Sequence, residues 1–143
     1  MQSVLVAIDG SDGGDRALDT AIELAKRYSS GLIIVTVEQG YPHGTVSSAA
    51  LPDNASMEEV LYAASSEILT RAQEKAKALG VRDISCHGGL GDPAGFVLEI
   101  AKRENPEFVV VGKRGRGRVS GLLLGSVSQK LVSAAPGKVL VVP

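Results

Sequence analysis

Short apolar runs alternate along the chain with longer stretches in which apolar residues recur every three or four positions. The runs at residues 4–8, 32–37, 108–111 and 139–142 are nearly continuous and rich in Val, Ile and Leu. Residues 83–88 form a weaker run of the same kind. Continuous apolar runs of this length predict strands that are buried on both faces of a sheet. The sequence therefore predicts five strands.

Helical periodicity separates most of these strands. An apolar stripe over residues 17–25 predicts a first helix, which ends at Ser29-Ser30-Gly31. Ser56 and Glu59 form a capping box before a long helix over residues 57–79. Asp92-Pro93 is typical of the start of a third helix, and residues 126–134 predict the last.

Two long connections have no periodicity of this kind. Residues 38–55 are rich in Gly, Pro, Ser and Asn, and loops of this length are usually functional or mobile. Residues 112–125 form a Gly-rich connection, in which residues 122–124 predict a short helical turn.

Strands that alternate with amphipathic helices indicate an α/β fold with a parallel sheet covered on both faces. We predict a three-layer, doubly wound, Rossmann-like sheet of five strands, with residues 1–143 as one domain, since no linker or internal repeat divides the chain. In such sheets a ligand binds beyond the carboxyl ends of the strands, where the strand order reverses.

Composition narrows the classes of partner. The chain has 15 Lys and Arg against 16 Asp and Glu, whereas nucleic-acid binding normally needs a clear positive excess. Cys86 is the single cysteine and cannot form an internal disulfide. No basic leader precedes residues 4–8, and no apolar run approaches the roughly 20 residues that span a bilayer. We expect a cytoplasmic protein with no nucleic-acid or membrane partner.

Two connections at the expected ligand edge carry suitable chemistry. Asp9-Gly10-Ser11 follows the first strand, and Gly112-Lys113-Arg114-Gly115 follows the fourth. Glycines let a backbone approach a ligand closely, and Gly125-Ser126 opens a helix whose free N–H groups attract anions. The hydroxyls and positive charges that would help to hold phosphate are those of Ser126, Ser128, Lys113, Arg114, Arg116 and Arg118.

Other interpretations of the same residues remain open. Glycines after a strand can serve only to turn the chain, and a Ser at a helix start is often only a cap. The chain has no G-x-x-x-x-G-K-[ST] sequence and no G-x-G-x-x-G after its first strand, which argues against a P-loop enzyme and a dinucleotide-binding domain. A receiver domain would need Asp where His87-Gly88 end the third strand, and a flavodoxin would need a hydroxyl-rich loop after the first.

Catalysis finds little support in the sequence. His43 lies in the long loop, His87 ends a strand, and Cys86 within that strand is typical of a small buried apolar residue. We predict no catalytic residues and no metal-ligating side chains.

The spacing G-x2-G-x9-G-S, formed by Gly112, Gly115, Gly125 and Ser126, resembles the ATP-binding motif of the universal stress protein family. Residues 4–11, residues 122–128 and the last strand also resemble that family, so the likeness extends over essentially the whole chain. The resemblance implies an adenine nucleotide alpha hydrolase-like fold, which gives a strand order of 3-2-1-4-5.

The resemblance also implies a ligand and its contacts. The ligand would be ATP, with room for Mg²⁺ beside its phosphates. Ala7 and Asp9 would lie near the ribose and phosphates, and the backbone of Val37 would contact adenine. The cradle for phosphate and ribose would consist of Gly112, Arg114, Gly115, Gly125, Ser126, Val127 and Ser128.

Three positions depart from the family pattern. Gly14 stands where many members have Ser, which is expected to weaken a helix cap. Thr36 replaces a common His beside the adenine position. Pro136-Gly137-Lys138 replaces a usual Pro-Cys-Pro, which bears on the dimer edge rather than on the nucleotide.

The last strand predicts a homodimer. With the order 3-2-1-4-5 it lies at an edge of the sheet, yet Val139, Leu140, Val141 and Val142 are apolar, and native proteins normally cover such an edge. The family pairs these edges. We expect an ATP-binding switch or sensor with a protein partner that the sequence does not name, rather than a turnover enzyme. Slow ATP hydrolysis or autophosphorylation at Ser126 or Ser128 stays open, as does the alternative of an interaction module that holds no nucleotide and uses its basic glycine loop to bind a partner.

Overall fold

A computed structural model of the chain describes residues 2–39, 56–115 and 124–143. Strands and helices alternate from end to end within these ranges. The elements are β1 (Val4–Ile8), α1 (Asp12–Tyr28), β2 (Leu32–Glu38), α2 (Met57–Ala78), β3 (Ile84–Leu90), α3 (Pro93–Glu104), β4 (Phe108–Gly112), α4 (Ser126–Ala134) and β5 (Lys138–Val142). The predicted helical turn at 122–124, most of the loop 38–55, and His43 lie wholly or partly outside the described residues.

The described strands form one parallel sheet in the order β3-β2-β1-β4-β5, which confirms the predicted fold class and strand order. In the centre, Ala7 of β1 lies opposite Val35 of β2 and Val111 of β4. The pairing of β1 with β2 ends at Ile8 and Thr36, whereas β2 continues beside β3 to Glu38. The order reverses at β1, so a crevice opens beyond the end of this short central strand.

Alternation along the buried strands builds a separate core on each face of the sheet. Val4, Val6 and Ile8 pack against α1 and α2, in a core that includes Ala17, Leu18, Ala21, Ile22, Ala72 and Ala76. Leu5 faces the other way, into a core that includes Ile33, Val35, Val37, Val97, Ile100, Val109, Val111 and Leu131. The second core lies against α3 and α4. Four of its residues also line the crevice: Val35, Val37, Val97 and Val111.

Local sequence fixes where the helices begin. Ser56 and Glu59 form the predicted capping box, with Ser56 Oγ accepting from Glu59 N at 3.2 Å. Asp92 caps α3, and its Oδ2 accepts from Gly95 N at 2.9 Å. Helix α1 begins at Asp12, five residues before the apolar stripe at residue 17, because the Ser11 hydroxyl caps it.

The expected weakening of the first helix cap by Gly14 does not occur. Ser11 is the N-cap residue, and its Oγ accepts from Gly14 N at 3.1 Å. A cap of this kind needs a backbone N–H at Gly14 and no side chain there.

Strand β3 extends two residues beyond the predicted end at Gly88. Parallel pairing with β2 carries it on, with Val37 opposite Gly89 and Glu38 opposite Leu90. A Cβ at Gly89 would lie 2.5 Å from the Phe96 ring, so glycine lets helix α3 pack directly on this strand. A run of glycines ends a strand pattern in sequence, but here it is a packing surface.

Strand β5 is the edge strand after β4, and its residues 139–142 are half-buried. The turn before it uses Gly137 at φ +82°, a backbone conformation that a Cβ would strain. Lys138 then pairs with Glu107 at 2.6 Å and lies over the Phe108 ring. The segment Pro136-Gly137-Lys138, which differs from the family pattern, therefore makes the turn that leads into the edge strand and provides its first residue. Within the described part of the chain, no helix is long and apolar enough to cross a membrane.

Candidate functional site

A cavity of about 500 Å³ lies at the carboxyl ends of β1, β2 and β4, where the strand order reverses. All ten predicted site residues line it: Ala7, Asp9, Val37, Gly112, Arg114, Gly115, Gly125, Ser126, Val127 and Ser128. They come from four separate segments of the chain, which the fold brings together. Their roles as ligand contacts stay predictions.

One side of the cavity is apolar. Ala7, Val35 and Val37 contribute from the sheet, and Pro93 and Val97 contribute from the start of α3. Because these residues belong to or border the core beneath α3 and α4, the wall is supported by close packing. Val37 lies one residue beyond the last β1–β2 pair, at the rim of the crevice. A flat, largely apolar group such as a nucleobase fits such a wall.

The start of helix α4 lines another part of the cavity. Gly125 is its N-cap residue, and among the described residues no side chain caps the helix there. The first N–H groups of a helix have no partner within the helix, and they coincide with the positive end of its dipole. The exposed Arg114 lines the same side of the cavity and adds a full positive charge. This combination attracts an anion. Arg116 and Arg118, predicted to add charge, lie outside the described residues.

The two serines of the α4 start differ in environment. Ser126 is exposed, whereas Ser128 is only 2% exposed. The Oγ of Ser128 lies 3.0 Å from the carbonyl oxygen of Lys113 and 3.1 Å from that of Gly125, and it donates to these backbone acceptors. The sequence predicted phosphate contacts for both hydroxyls, and in the structure the Ser128 hydroxyl bonds to the protein backbone.

Asp9 lies where the turn after β1 meets the glycine loop (residues 112–115). Its Oδ1 accepts from Ser11 N at 3.0 Å and also from the Ser11 hydroxyl. A Cβ placed on Gly14 would lie 2.9 Å from Oδ1, and one on Gly115 would lie 2.6 Å from Oδ2. The carboxylate therefore fits between two glycines, one from α1 and one from the glycine loop.

The first turn of α1 also packs backbone against backbone on the glycine loop. A Cβ on Gly13 would lie 2.7 Å from the carbonyl oxygen of Arg114, and one on Gly112 would lie 2.9 Å from that of Gly13. These distances are shorter than real Cβ contacts, so only glycine allows this approach. We call this contact between Gly13, Gly112 and Arg114 the glycine seam.

Several lining residues were not predicted. Strand alternation could have identified Val35 and Val111, which share a face with Val37 and Ala7. Glu38 was assigned to a loop, yet it ends β2 and is 5% exposed. Nothing in the sequence marks Leu61 of α2. The remaining lining residues missed are Ile8, Gly14, Gln39, Pro93 and Val97.

Thr36, another departure from the family pattern, is not among the residues that line the cavity, although its neighbours Val35 and Val37 are. Thr36 is buried, and its hydroxyl donates to the Ile8 carbonyl at 2.8 Å, which ties the ends of β1 and β2 together.

The other residues considered for chemistry lie outside the cavity lining. His87 and Cys86 are half-buried in β3, and burial raises the pKa of the Cys86 thiol. In residues 2–39, 56–115 and 124–143, no group of three or more His, Cys, Asp or Glu side chains could hold a metal ion.

Fold and cavity together define a doubly wound α/β protein with a cleft at its topological switch point. Comparison with known proteins narrows this class. The family model described as "Universal stress protein family" matches residues 1–143. Universal stress protein YxiE of Bacillus subtilis is 35% identical over 145 residues, covering 97% of each chain. The chain belongs to the universal stress protein family.

Solved structures agree with this assignment. Universal stress protein UspA from Lactobacillus plantarum superposes with a TM-score of 0.83 at 20% identity, covering 99% of this chain and 97% of that one. A universal stress protein solved in complex with cAMP superposes with a TM-score of 0.71 at 32% identity, covering 99% and 97%. The first likeness shows the fold, and the second comes from a protein that holds a nucleotide.

Proposed function

We propose that this chain binds an adenine nucleotide, ATP, in the cavity beyond β1. The observation that carries the proposal is the joining of an apolar wall and an uncapped helix start within one cavity of about 500 Å³. The base would lie against Ala7, Val37 and Val97. The phosphates would lie at the N–H groups of the α4 start, with Arg114 beside them. The cAMP-bound relative, at 32% identity, supports a nucleotide as the ligand class.

The glycines of the motif fit this ligand. Gly125 approaches the glycine loop so closely that a Cβ there would lie 3.3 Å from the Lys113 carbonyl oxygen. Its own N donates to that carbonyl at 2.8 Å, which joins the two halves of the motif. Any Mg²⁺ would be held chiefly by the phosphates, as is usual for this ion, because the described residues offer no carboxylate cage.

The proposed role is that of a nucleotide-dependent sensor or switch in the cytoplasm, acting on a protein partner, rather than that of a turnover enzyme. Support comes from the composition of the described lining, which holds no His, Cys or Lys. Histidine is the most common general base, and the carboxylates of the described lining are those of Asp9, whose Oδ1 accepts from Ser11 N and Oγ, and of the buried Glu38. Incubation with Mg-ATP should therefore give at most slow release of phosphate, while rapid multiple turnover would overturn this part.

We also propose a homodimer through β5. Its half-buried apolar residues lie at a sheet edge, where pairing with a second copy would cover them. Analytical ultracentrifugation of the wild-type protein should find a dimer at micromolar concentration. A wild-type monomer at micromolar concentration contradicts the dimer and leaves the nucleotide site unaffected.

The first experiment is to denature the purified protein and identify any released nucleotide by chromatography and mass spectrometry. Calorimetric titration with Mg-ATP then follows on nucleotide-free protein. Near-stoichiometric ATP, or binding of added Mg-ATP, is the expected result. An empty protein that also ignores Mg-ATP refutes the proposal. Binding of RNA or an acidic protein that weakens steeply with salt would then favour the interaction module instead.

A matched pair of variants links binding to the cavity. Gly115→Ala would bring a methyl group to 2.6 Å from Asp9 Oδ2, inside the site. Gly95→Ala would bring one to 2.9 Å from Asp92 Oδ2, at the exposed start of α3. We expect Gly115→Ala to weaken ATP binding at least tenfold with the fold intact, and Gly95→Ala to bind normally. Equal affinities in the two variants would show that the assignment of the cradle is wrong.

A further inference from the structure

We propose that Ser128 is a positioning residue, whose buried hydroxyl fastens the glycine loop to the first turn of α4. It would act on bound phosphate through the loop and would not contact the phosphate with its side chain. This inference rests on the proposed nucleotide site and deepens it. It assigns Ser128 a role different from the phosphate contact that its place in the motif predicts.

Burial and geometry carry the first step. The Ser128 side chain is 2% exposed, and a serine hydroxyl has one proton to donate. Its two acceptors within reach are the Lys113 and Gly125 carbonyl oxygens, at 3.0 and 3.1 Å. The bond to Gly125 is local, of a kind that many serines in helices make. The bond to Lys113 joins residues 15 positions apart, so it constrains the loop.

Lys113 is the point at which the loop is held. Its carbonyl oxygen accepts from Ser128 Oγ and from Gly125 N, and its own N donates to the Val142 carbonyl at 2.7 Å. The two peptide groups that flank this residue are thus tied to α4 on one side and to β5 on the other. Arg114 and Gly115 follow directly, so their positions in the cavity depend on these bonds.

The chemistry of phosphate explains the division of work between the two serines. Phosphate oxygens are acceptors, so a hydroxyl that already donates to a buried carbonyl has no proton left for them. The exposed Ser126 hydroxyl carries no such long-range bond among the described residues. Ser128 would still serve the ligand with its backbone N–H, which lies in the first turn of α4.

The test compares three variants of the full chain. Ser128→Ala removes the hydroxyl, and Ser128→Cys fills its space with a somewhat larger atom that is a much weaker donor. Ser133→Ala is the matched control, because Ser133 lies on the same helix and its hydroxyl makes only a local bond, to the Gln129 carbonyl at 3.0 Å. The readout is hydrogen exchange of the Gly125 amide in nucleotide-free protein, followed by Mg-ATP and adenosine affinities.

If the Ser128 hydroxyl holds the loop, the Gly125 amide should exchange its hydrogen about five to ten times faster in Ser128→Ala and Ser128→Cys than in the wild type. The rate in Ser133→Ala should equal that of the wild type. The dissociation constant of Mg-ATP should rise by a similar factor in both Ser128 variants, with a smaller effect on adenosine. Unchanged exchange together with weaker Mg-ATP binding would overturn the proposal and make Ser128 a direct phosphate ligand. Wild-type behaviour of Ser128→Cys would also overturn it, since volume alone would then suffice. If the wild type binds no nucleotide, the proposed function fails, while the exchange experiment still decides whether the fastening bond exists.

Discussion

Replacing Gly13 by Ala tests the glycine seam, because two opposing effects of known size meet at this position. Gly13 is the second residue of α1, where Ala would be the better helix former by about 1 kcal/mol. The new methyl group would lie 2.7 Å from the Arg114 carbonyl oxygen, and overpacking of this kind costs about 1–3 kcal/mol. The obstructing atom is a backbone oxygen one residue after Lys113, which is itself hydrogen bonded to Val142. The loop therefore cannot yield cheaply, and the cost belongs in the upper half of that range.

The expected net result for Gly13→Ala is a loss of about 1–2 kcal/mol in the free energy of unfolding, or roughly 4–8 °C in Tm. Urea unfolding of nucleotide-free protein measures it, with the slope m checked for constancy. Gly95→Ala is the control, since it also places Ala in the first turn of a helix, where the new methyl group meets the capping oxygen of Asp92, the end of an exposed side chain that can shift while still accepting from the residue 95 N–H. That variant should match the wild type or exceed it slightly. Stabilisation of Gly13→Ala by about 1 kcal/mol would show that helix propensity acts alone and that the seam is not tight.

Three further predictions concern stability. Leu131→Ala truncates a fully buried residue of α4 and should lower the free energy of unfolding in urea by about 2–5 kcal/mol. Val132→Ala, at a neighbour that is 50% exposed, should change it by no more than about 0.5 kcal/mol. Equal losses in the two variants would contradict the described core. Thr36→Val removes the buried hydrogen bond to Ile8 and should cost about 1 kcal/mol without changing nucleotide affinity, so a large loss of affinity would place Thr36 in the site. Burial raises the pKa of the Cys86 thiol above its usual 9.0, so the folded state favours the protonated thiol. The stability that this preference adds is fully present below pH 9.0 and is lost as pH rises through the higher pKa of the folded state. Unfolding free energy should therefore fall in alkaline solution, and a Cys86→Val variant that shows the same fall would refute this cause.

The centre of the sheet was predictable because β1, β2 and β4 are buried on both faces, and continuous apolar runs have few other uses in a small domain. Helix starts at Ser56 and Asp92 were predictable for a local reason, since their capping hydrogen bonds span only three residues. Strand β3 was predicted too short because its last residues, Gly89 and Leu90, are held by β2 and by Phe96 rather than by their own propensity.

The residues of the candidate site also divide into those that local sequence could predict and those that depend on tertiary packing. The glycine motif could be found because its residues follow one another at a fixed spacing in the sequence. Asp9 could be found because it directly follows β1, and its turn therefore lies at the same sheet edge as the motif. Leu61 could not be found, because it reaches the cavity through the packing of α2 on the sheet. The hydrogen bond of Ser128 joins residues 15 positions apart, so no local pattern distinguishes a hydroxyl that faces a ligand from one that holds a loop.

Glycines from both halves of the motif line this cavity, and that governs how it responds to mutation. Alanine scanning measures a residue by deleting its side chain, but at Gly112 and Gly115 it adds an atom to a space that has no room for one, and at Gly125 it creates a tight contact. A scan would thus report steric effects at these positions, and it would say nothing about the free N–H groups in the first turn of α4. Chemical replacement of single amides by esters, which removes one donor and adds no bulk, is the perturbation that would count those groups one at a time.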